Sequence, residues 1–254
     1  MVFHIQGLVA PYADVYFPAG FSKREVLKKS NLADIFRGVT FYHRYLVMKK
    51  RGEREIEMIK QWKYFTGRTD WDRNYVKLIN PAAIYFHGEE LLRADFFSAQ
   101  WQPLQSPAKG QQIVIGTTIN PNIYKGLDLV YKVVNLLKDY NICWKIFGIA
   151  ADNPVNNIIK KVMDIKKAGA AVKFYGQLSA PQLIEELKTC HFFVHPSYID
   201  NSPNSVCEAM LLGMPVLSSS PGGVKSLITH KENGFPVQFL MINTNWQGLL
   251  GSPL

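Results

Sequence analysis

Along the second half of the chain, short and almost wholly apolar runs alternate with longer amphipathic ones. The apolar runs are IVIG (113–116), WKIFGIA (144–150), VKFYGQL (172–178), HFFVHPS (191–197) and PVLSSS (215–220). Between and after them lie GLDLVYKVVNLLKDY (126–140), NNIIKKVMDIKKAG (156–169), SAPQLIEELKTC (179–190), SPNSVCEAMLLG (202–213) and GGVKSLITHKENG (222–234). In the amphipathic runs apolar residues recur three or four positions apart, as at Leu127, Val130, Val134 and Leu137, which marks one face of a helix. The nearly all-apolar runs fit parallel strands covered on both faces. Strands alternating with helices of about ten or more residues predict right-handed crossovers, and so an α/β fold with a doubly wound parallel sheet.

The first hundred residues are less regular. VFHIQGLV predicts a strand, and residues 22–63 read as helical, with helix spacing around Ile56, Ile59 and Trp62. KYFTGR (63–68) predicts a second strand, followed by a helix from about Asp70 to Leu78. HGEELLRADFFSAQW (87–101) has the character of a capped helix, and QPLQSPAKG (102–110) reads as a linker. The expected organisation is a partial N-terminal α/β domain over 1–105, a ligand-binding domain over 106–238 and an irregular tail over 239–254. The chain opens directly in a strand, and its last stretch abandons the helical period, so both ends read as truncated.

Composition narrows the class. With 47% hydrophobic and 19% charged residues, the chain is an ordinary folded protein and not a disordered one. No apolar run approaches the ~20 residues that span a bilayer, and the opening lacks the features of a signal peptide. Three cysteines (Cys143, Cys190, Cys207) stand at no metal-binding or redox spacing. Their apolar neighbours suit buried thiols in a reducing compartment, so a cytoplasmic location is expected. The net charge of +9 is concentrated: residues 22–63 hold twelve Lys or Arg against five Asp or Glu. A solvated helix face accounts for this, and so does attraction to an anionic membrane surface at the cytoplasmic face. Nucleic acid is not the expected partner, because no RNA-binding fingerprint or zinc-finger spacing accompanies the charge.

The chemistry concentrates in HPSYIDNSPNSVCEAMLLGMPVLSSSPGG (195–223). A strand ending near His195 leads into a loop that delivers Asp200 and Asn201 to the carboxyl edge of the sheet. Ser202 then reads as an N-cap and Pro203 as the first helical residue. The free N–H groups of Asn204 and Ser205 would face that edge, where a helix N-terminus suits a diphosphate. Glu208, about one and a half turns into the helix, stays near the same crevice. Carboxylates suit sugar and ribose hydroxyls and backbone N–H groups suit phosphate, the combination that a nucleotide sugar requires.

This string resembles the signature of family-4 glycosyltransferases of the GT-B fold, E-x(7)-E followed by EA-x-x-x-G-x-P and a later GG. Here Asp200 stands in place of the first Glu, while Glu208–Ala209, Gly213, Pro215 and Gly222–Gly223 match. The resemblance implies that Asp200 contacts the transferred sugar, that Glu208 holds the ribose, and that Asn201, Ser202, Asn204 and Ser205 lie in the segment gripping sugar and phosphate. Upstream, IVIGTTINPNIYKG resembles the family's first donor-side strand. Lys125, before Gly126, would then neutralise the leaving diphosphate, while Gly116, Gly148 and Gly176 match turns that approach the donor. The Arg that often follows the first strand is absent, since Thr117 and Thr118 follow Gly116. The likeness is strong over 111–237. HIQGL, TGRTDWDR (66–73) and YFHGEELLR (85–93) extend it to the acceptor side of a bacterial, polysaccharide-biosynthesis branch. Many relatives carry a catalytic His where Gln6 stands here, and His4 lies two residues earlier, farther from the crevice.

The resemblance implies a hexosyltransferase that uses a UDP- or GDP-linked sugar and a glycan or lipid-linked acceptor, retains the anomeric configuration and needs no metal. The alternative is a truncated, catalytically impaired nucleotide-sugar-binding module. Arg68 and Arg73 have two readings, as ligands for acceptor or phosphate and as partners of Asp70 or Asp72. His191 and His195 are expected to be core or edge residues, because four residues along a strand span ~13 Å, too far to share one metal ion.

Overall fold

The computed structural model describes residues 1–105, 107–108, 110–165 and 171–237. Its strands are all parallel and lie in two sheets. The first sheet, in the order β1 (Phe3–His4), β2 (Tyr64–Gly67), β3 (Ile84–His87), belongs to the N-terminal hundred residues. The second has six strands: β4 (Ile113–Thr118), β5 (Ile142–Phe147), β6 (Val172–Gly176), β7 (Phe192–His195), β8 (Val216–Ser219) and β9 (Phe235–Val237). Their spatial order is β6-β5-β4-β7-β8-β9. The direction of winding reverses between β4 and β7, and a crevice opens there at the strands' carboxyl ends, as expected of doubly wound sheets.

Alternate side chains on each central strand serve opposite faces. Ile115 on β4, Trp144 on β5 and Phe192 and Val194 on β7 enter one core cluster, while Phe147 and Phe193 enter another. The first cluster packs against α6 (Leu127–Leu136) and α7 (Pro154–Val162); the second packs against α8 (Ala180–Lys188) and α9 (Asn204–Leu211). With both faces covered, the strand side chains are almost entirely buried, which is why these runs lack a polar alternation.

The N-terminal helices are α1 (Val9–Asp14), α2 (Lys23–Lys28), α3 (Leu32–Phe36), α4 (Phe41–Gln61) and α5 (Asp70–Ile79). The helical reading of 22–63 thus resolves into three helices, and α1, on GLVAPYADV, was not anticipated. Tyr16, Phe21, Val26 and Phe41 join the same buried cluster as Ile119, Tyr124 and Val155, so the N-terminal helices share a core with the six-stranded sheet. α1 crosses α4 at Gly52, where an added Cβ would sit 2.7 Å from the Cα of Ala10; only a residue without a side chain admits that approach. The smaller sheet has its own core of Ile5, Leu8, Ile59, Phe65, Val76 and Ala83.

Two expected helices are absent. Over 87–101 only a 3-10 turn forms, at Ala94–Phe97. Phe96 and Trp101 are buried against α8 and α9, the Trp101 indole donates to the Cys190 carbonyl, and Glu89 and Arg93 are drawn into ion pairs elsewhere. Tertiary contacts outweigh helix propensity there. Over 222–234 there is again only a 3-10 turn, Gly223–Ser226. Its start is pinned by the Gly223 N–H donating to the Asp200 carbonyl, and Asn233 closes the following loop through Thr229 and Leu227. β3 is a strand that the sequence reading did not place. The expected tail over 239–254 lies outside the described residues, as do parts of the linker and the end of the 156–169 helix.

Candidate functional site

At the switch point between β4 and β7 a crevice of ≈ 380 Å³ is lined from both halves of the chain. Lys125, Asp200 and Ser202 come from the larger sheet's edge loops, Thr118 and His195 end β4 and β7, Asn120 follows β4, and Gln6 and Glu90 come from the N-terminal side. Asn204 and Ser205 of the first turn of α9 complete the wall. Five residues assigned to one ligand from sequence, namely Lys125, Asp200, Ser202, Asn204 and Ser205, thus meet at one place.

The local folding explains the convergence. Lys125 lies on the 3-10 turn Ile123–Lys125, directly before Gly126, which caps α6 with φ +80°. A Cβ at Gly126 would lie 2.0 Å from the Pro196 carbonyl oxygen, so glycine lets the Lys125 turn close onto the loop after β7. That contact and the Tyr198 N–H donating to the Tyr124 carbonyl hold the two loops together. The Lys125 ammonium then donates to Asp200 Oδ2 at 2.5 Å.

Asp200 is buried among its partners. Its loop is fixed by a backbone bridge to Gly222, and its carboxylate also meets Tyr12, whose hydroxyl lies 3.3 Å from Oδ1. His195 Nε2 lies 3.2 Å from Asp200 Oδ2, close enough for electrostatic attraction but out of line for a hydrogen bond. Burial by itself would raise the Asp200 carboxyl, but His195 and the Lys125 ammonium outweigh it and hold the group well below the ordinary carboxylate range. Asp200 is therefore an anion paired with a cation. Burial, and then the Asp200 charge, push the Tyr12 and Tyr124 hydroxyls far above their ordinary value, so both stay protonated donors.

Helix α9 begins one residue later than expected. Pro203, with φ −69° and ψ 108°, is the N-cap, and its carbonyl accepts from Val206 and Cys207. Ser202 is consequently not a cap: its hydroxyl is buried at the crevice without a hydrogen-bond partner among the described residues. Both ring nitrogens of His195 are in the same condition. Buried polar atoms without partners are uncommon and call for a reason. Here they cluster on one wall, beside first-turn N–H groups of Asn204 and Ser205 that no helical carbonyl can satisfy.

Other assigned residues fall outside the crevice. Gly116 is inside β4, not at its end; the strand continues to Thr118. A Cβ at Gly116 would press on Cys190 and Leu187, so this glycine serves the packing of α8. Gly148, with φ +95°, ends β5 against the Ile119 carbonyl, and its N–H donates to Gly176. Glu208 is buried on α9 and gripped by Arg93, whose Nε and Nη2 donate to its two oxygens at 2.7 Å each. Asn201 turns away from the crevice: it accepts from the Thr69 hydroxyl at 2.6 Å and donates its amide to Asp72 at 2.9 Å.

The N-terminal half thus holds the Asp200 loop through side chains with two readings in the sequence or none. Arg68, buried, donates to Glu89, Asn204 and Cys207, so neither Asp70 nor Asp72 takes its guanidinium. Arg73 pairs with Asp70 on the exposed face of α5. The Tyr12 hydroxyl accepts the Asn201 N–H at 2.8 Å. His191 accepts from the Val114 N–H at the strand's beginning, while His195 closes β7 in the crevice. His195, Tyr12 and Arg93 were not among the expected site residues. For His195 the signal was its position, the last strand residue before the Asp200 loop, and for Arg93 its place at the end of the YFHGEELLR segment; Tyr12 is distant in sequence and carries no motif. Among the described residues no group of three His, Cys, Asp or Glu side chains is placed to hold a metal ion.

The parallel sheets and switch-point crevice define an α/β protein structurally similar to GT-B glycosyltransferases. Sucrose-phosphate synthase from Thermosynechococcus elongatus superposes with a TM-score of 0.65 at 13% identity, over 95% of this chain and 55% of that one. Anabaena HepE in complex with UDP-glucose gives 0.62 at 15% identity, over 96% and 61%. The chain belongs to the glycosyl transferases group 1 family, whose model matches residues 102–243, more than half its length. An uncharacterized glycosyltransferase of Haemophilus influenzae is 33% identical over 118 residues, 44% of this chain and 31% of that protein. The chain therefore spans about a third of the length of that curated relative.

Proposed function

We propose that this chain carries the donor side of a retaining hexosyltransferase of the family-4, polysaccharide-biosynthesis type, binding a UDP- or GDP-linked hexose for transfer to a glycan or lipid-linked acceptor. The observation that carries this reading is the convergence of Lys125, Asp200, Ser202 and the free N–H groups of Asn204 and Ser205 at one sheet edge. The helix N-terminus and Lys125 would receive the diphosphate, and Lys125 would stabilise the charge that grows as it leaves. Asp200, held ionised, would accept from sugar hydroxyls. Glu208 would take the ribose once Arg93 releases it. This scheme needs no metal, since the diphosphate charge is met by the protein. Retention follows if the acceptor attacks from the face of the departing phosphate, which then assists in removing the acceptor proton. HepE, solved with UDP-glucose, supports a uridine donor.

On this reading residues 1–105 form the acceptor side and 106–238 the donor side, and the enzyme works at the cytoplasmic face of a membrane. Support for membrane contact comes from Leu32 and Phe36, 74% and 88% exposed among the basic residues of 22–63. No described helix is long and apolar enough to cross a membrane. Nucleic acid has no part in the scheme. A second reading, a binding module without turnover, is favoured by Gln6, which lines the crevice where a catalytic His is expected.

The test is a thermal-shift panel of UDP- and GDP-sugars, followed by transfer assays with and without a chelator. A donor that raises the melting temperature, with chelator-resistant transfer or hydrolysis lost about 10²–10³-fold in Lys125→Met, is the expected result. Donor binding without any turnover selects the module, and no response to any donor overturns both readings.

A further inference from the structure

A second cavity, of ≈ 440 Å³, lies between the N-terminal helices and α7, and it is larger than the donor crevice. None of the residues lining the donor crevice lines it. Four cations face it from three helices: Lys29 at the end of α2, Arg44 in the first turn of α4, and Lys160 and Lys161 in the last turn of α7. Among the described residues Asp34 is the one carboxylate in its wall.

These charges are not balanced by ion pairs. Among the described residues none of the four lies within 4.0 Å of a carboxylate oxygen. Lys29 instead donates to the Lys161 carbonyl at 2.9 Å, and Lys161 reaches Asn31 at 3.3 Å, a reciprocal clasp that fixes both ammonium groups. The Arg44 guanidinium lies over the Phe41 ring, 4.9 Å from its centroid. The 21-residue α4 starts at this wall with no acid in its first turn, so its positive end adds to the field. A concave wall of one sign focuses potential and concentrates counter-ions. Asn157 also lines the wall, its amide donating to the Asp152 carbonyl at 2.9 Å.

We propose that this cavity is a second anion site, separate from the donor crevice, that takes a phosphate group. Lys29 and Arg44 come from the N-terminal half and Lys160 and Lys161 from the six-stranded sheet's side, so an occupying phosphate bridges the two and relieves their mutual repulsion. The phosphate can be free or carried on a lipid headgroup, because the recognition chemistry is the same.

The experiment compares wild type with Arg44→Gln/Lys160→Gln. Inorganic phosphate is titrated at constant ionic strength against chloride, with unfolding temperature and calorimetry as readouts. Both proteins keep the donor crevice, so phosphate binding there is common to both and UDP binding checks that the variant is folded. The expected result is a phosphate-specific stabilisation of wild type and affinity at least about tenfold weaker in the variant, the scale of losing charge-assisted hydrogen bonds. Flotation with phosphatidate and phosphatidylcholine vesicles then separates the sources. Phosphatidate capture lost in the variant assigns a headgroup, and absence of capture with the phosphate effect intact assigns a soluble phosphate compound. Equal phosphate response in the two proteins, or none beyond chloride, overturns the proposal whatever the outcome of UDP binding.

Discussion

The Arg93 guanidinium holds the Glu208 carboxylate in a two-pronged grip, both bonds 2.7 Å long, between the N-terminal segment and α9. Glu208 is buried, whereas the Arg93 side chain is 43% exposed. The carboxylate proposed to receive the nucleotide is therefore already engaged, and on that proposal nucleotide binding competes with Arg93.

Replacing Arg93 should show that competition. For a pair screened by solvent on one side, about 0.5–1 kcal/mol is a fair scale, so Arg93→Ala is expected to bind UDP about two- to fivefold more tightly. Glu208→Gln should bind it more weakly than wild type. Calorimetric titration of both variants measures this; weaker binding in Arg93→Ala would mean that the guanidinium contacts the nucleotide instead of opposing it.

Tyr12 ties the N-terminal helices to the Asp200 loop. In Tyr12→Phe the buried Asn201 N–H loses its 2.8 Å acceptor and keeps only Asp200 Oδ1, at 3.1 Å. A loss of about 1–2 kcal/mol is expected. Chemical denaturation should report it, together with a rise in donor KM if the loop relaxes.

Gly126→Ala should be more damaging. The new Cβ meets the Pro196 carbonyl at 2.0 Å in a backbone region that alanine avoids. Strain and overpacking together suggest about 3 kcal/mol or more, a fall in melting temperature of about 6–12 °C for a chain of this size. An unchanged melting temperature would show that the two loops separate at little cost.

Acid stability should carry the mark of Asp200. Its folded pKa is depressed, so the stability it contributes is present above its unfolded value, about 3.9, and is lost as pH falls below that. Asp200→Asn should therefore flatten the loss of stability below about pH 4 and leave the slope between pH 5 and 7 nearly unchanged. Unfolding free energies across that range check it, and a flattening confined to pH 5–7 would contradict the pairing.

The six-stranded sheet was legible because its signals are local. Runs such as IVIG and HFFVHPS are apolar throughout since parallel strands are covered twice, and the spacing of Leu127, Val130 and Val134 records the face of α6. The 87–101 and 222–234 segments misled for the opposite reason: their helical pattern is real, but burial of Trp101 and pinning of Gly223 by Asp200 depend on residues more than twenty positions away.

The amino-acid sequence alone determined the alternation of strands and helices and the short string that delivers Asp200, Asn204 and Ser205 to one edge, because periodicity and turn chemistry act over a few residues. Only the tertiary structure decided which of those groups face the crevice and which are taken by partners. Arg93 claims Glu208, Thr69 and Asp72 claim Asn201, and His195 joins Lys125 beside Asp200. Such pairings join side chains brought together by chain crossings, and no local pattern encodes them.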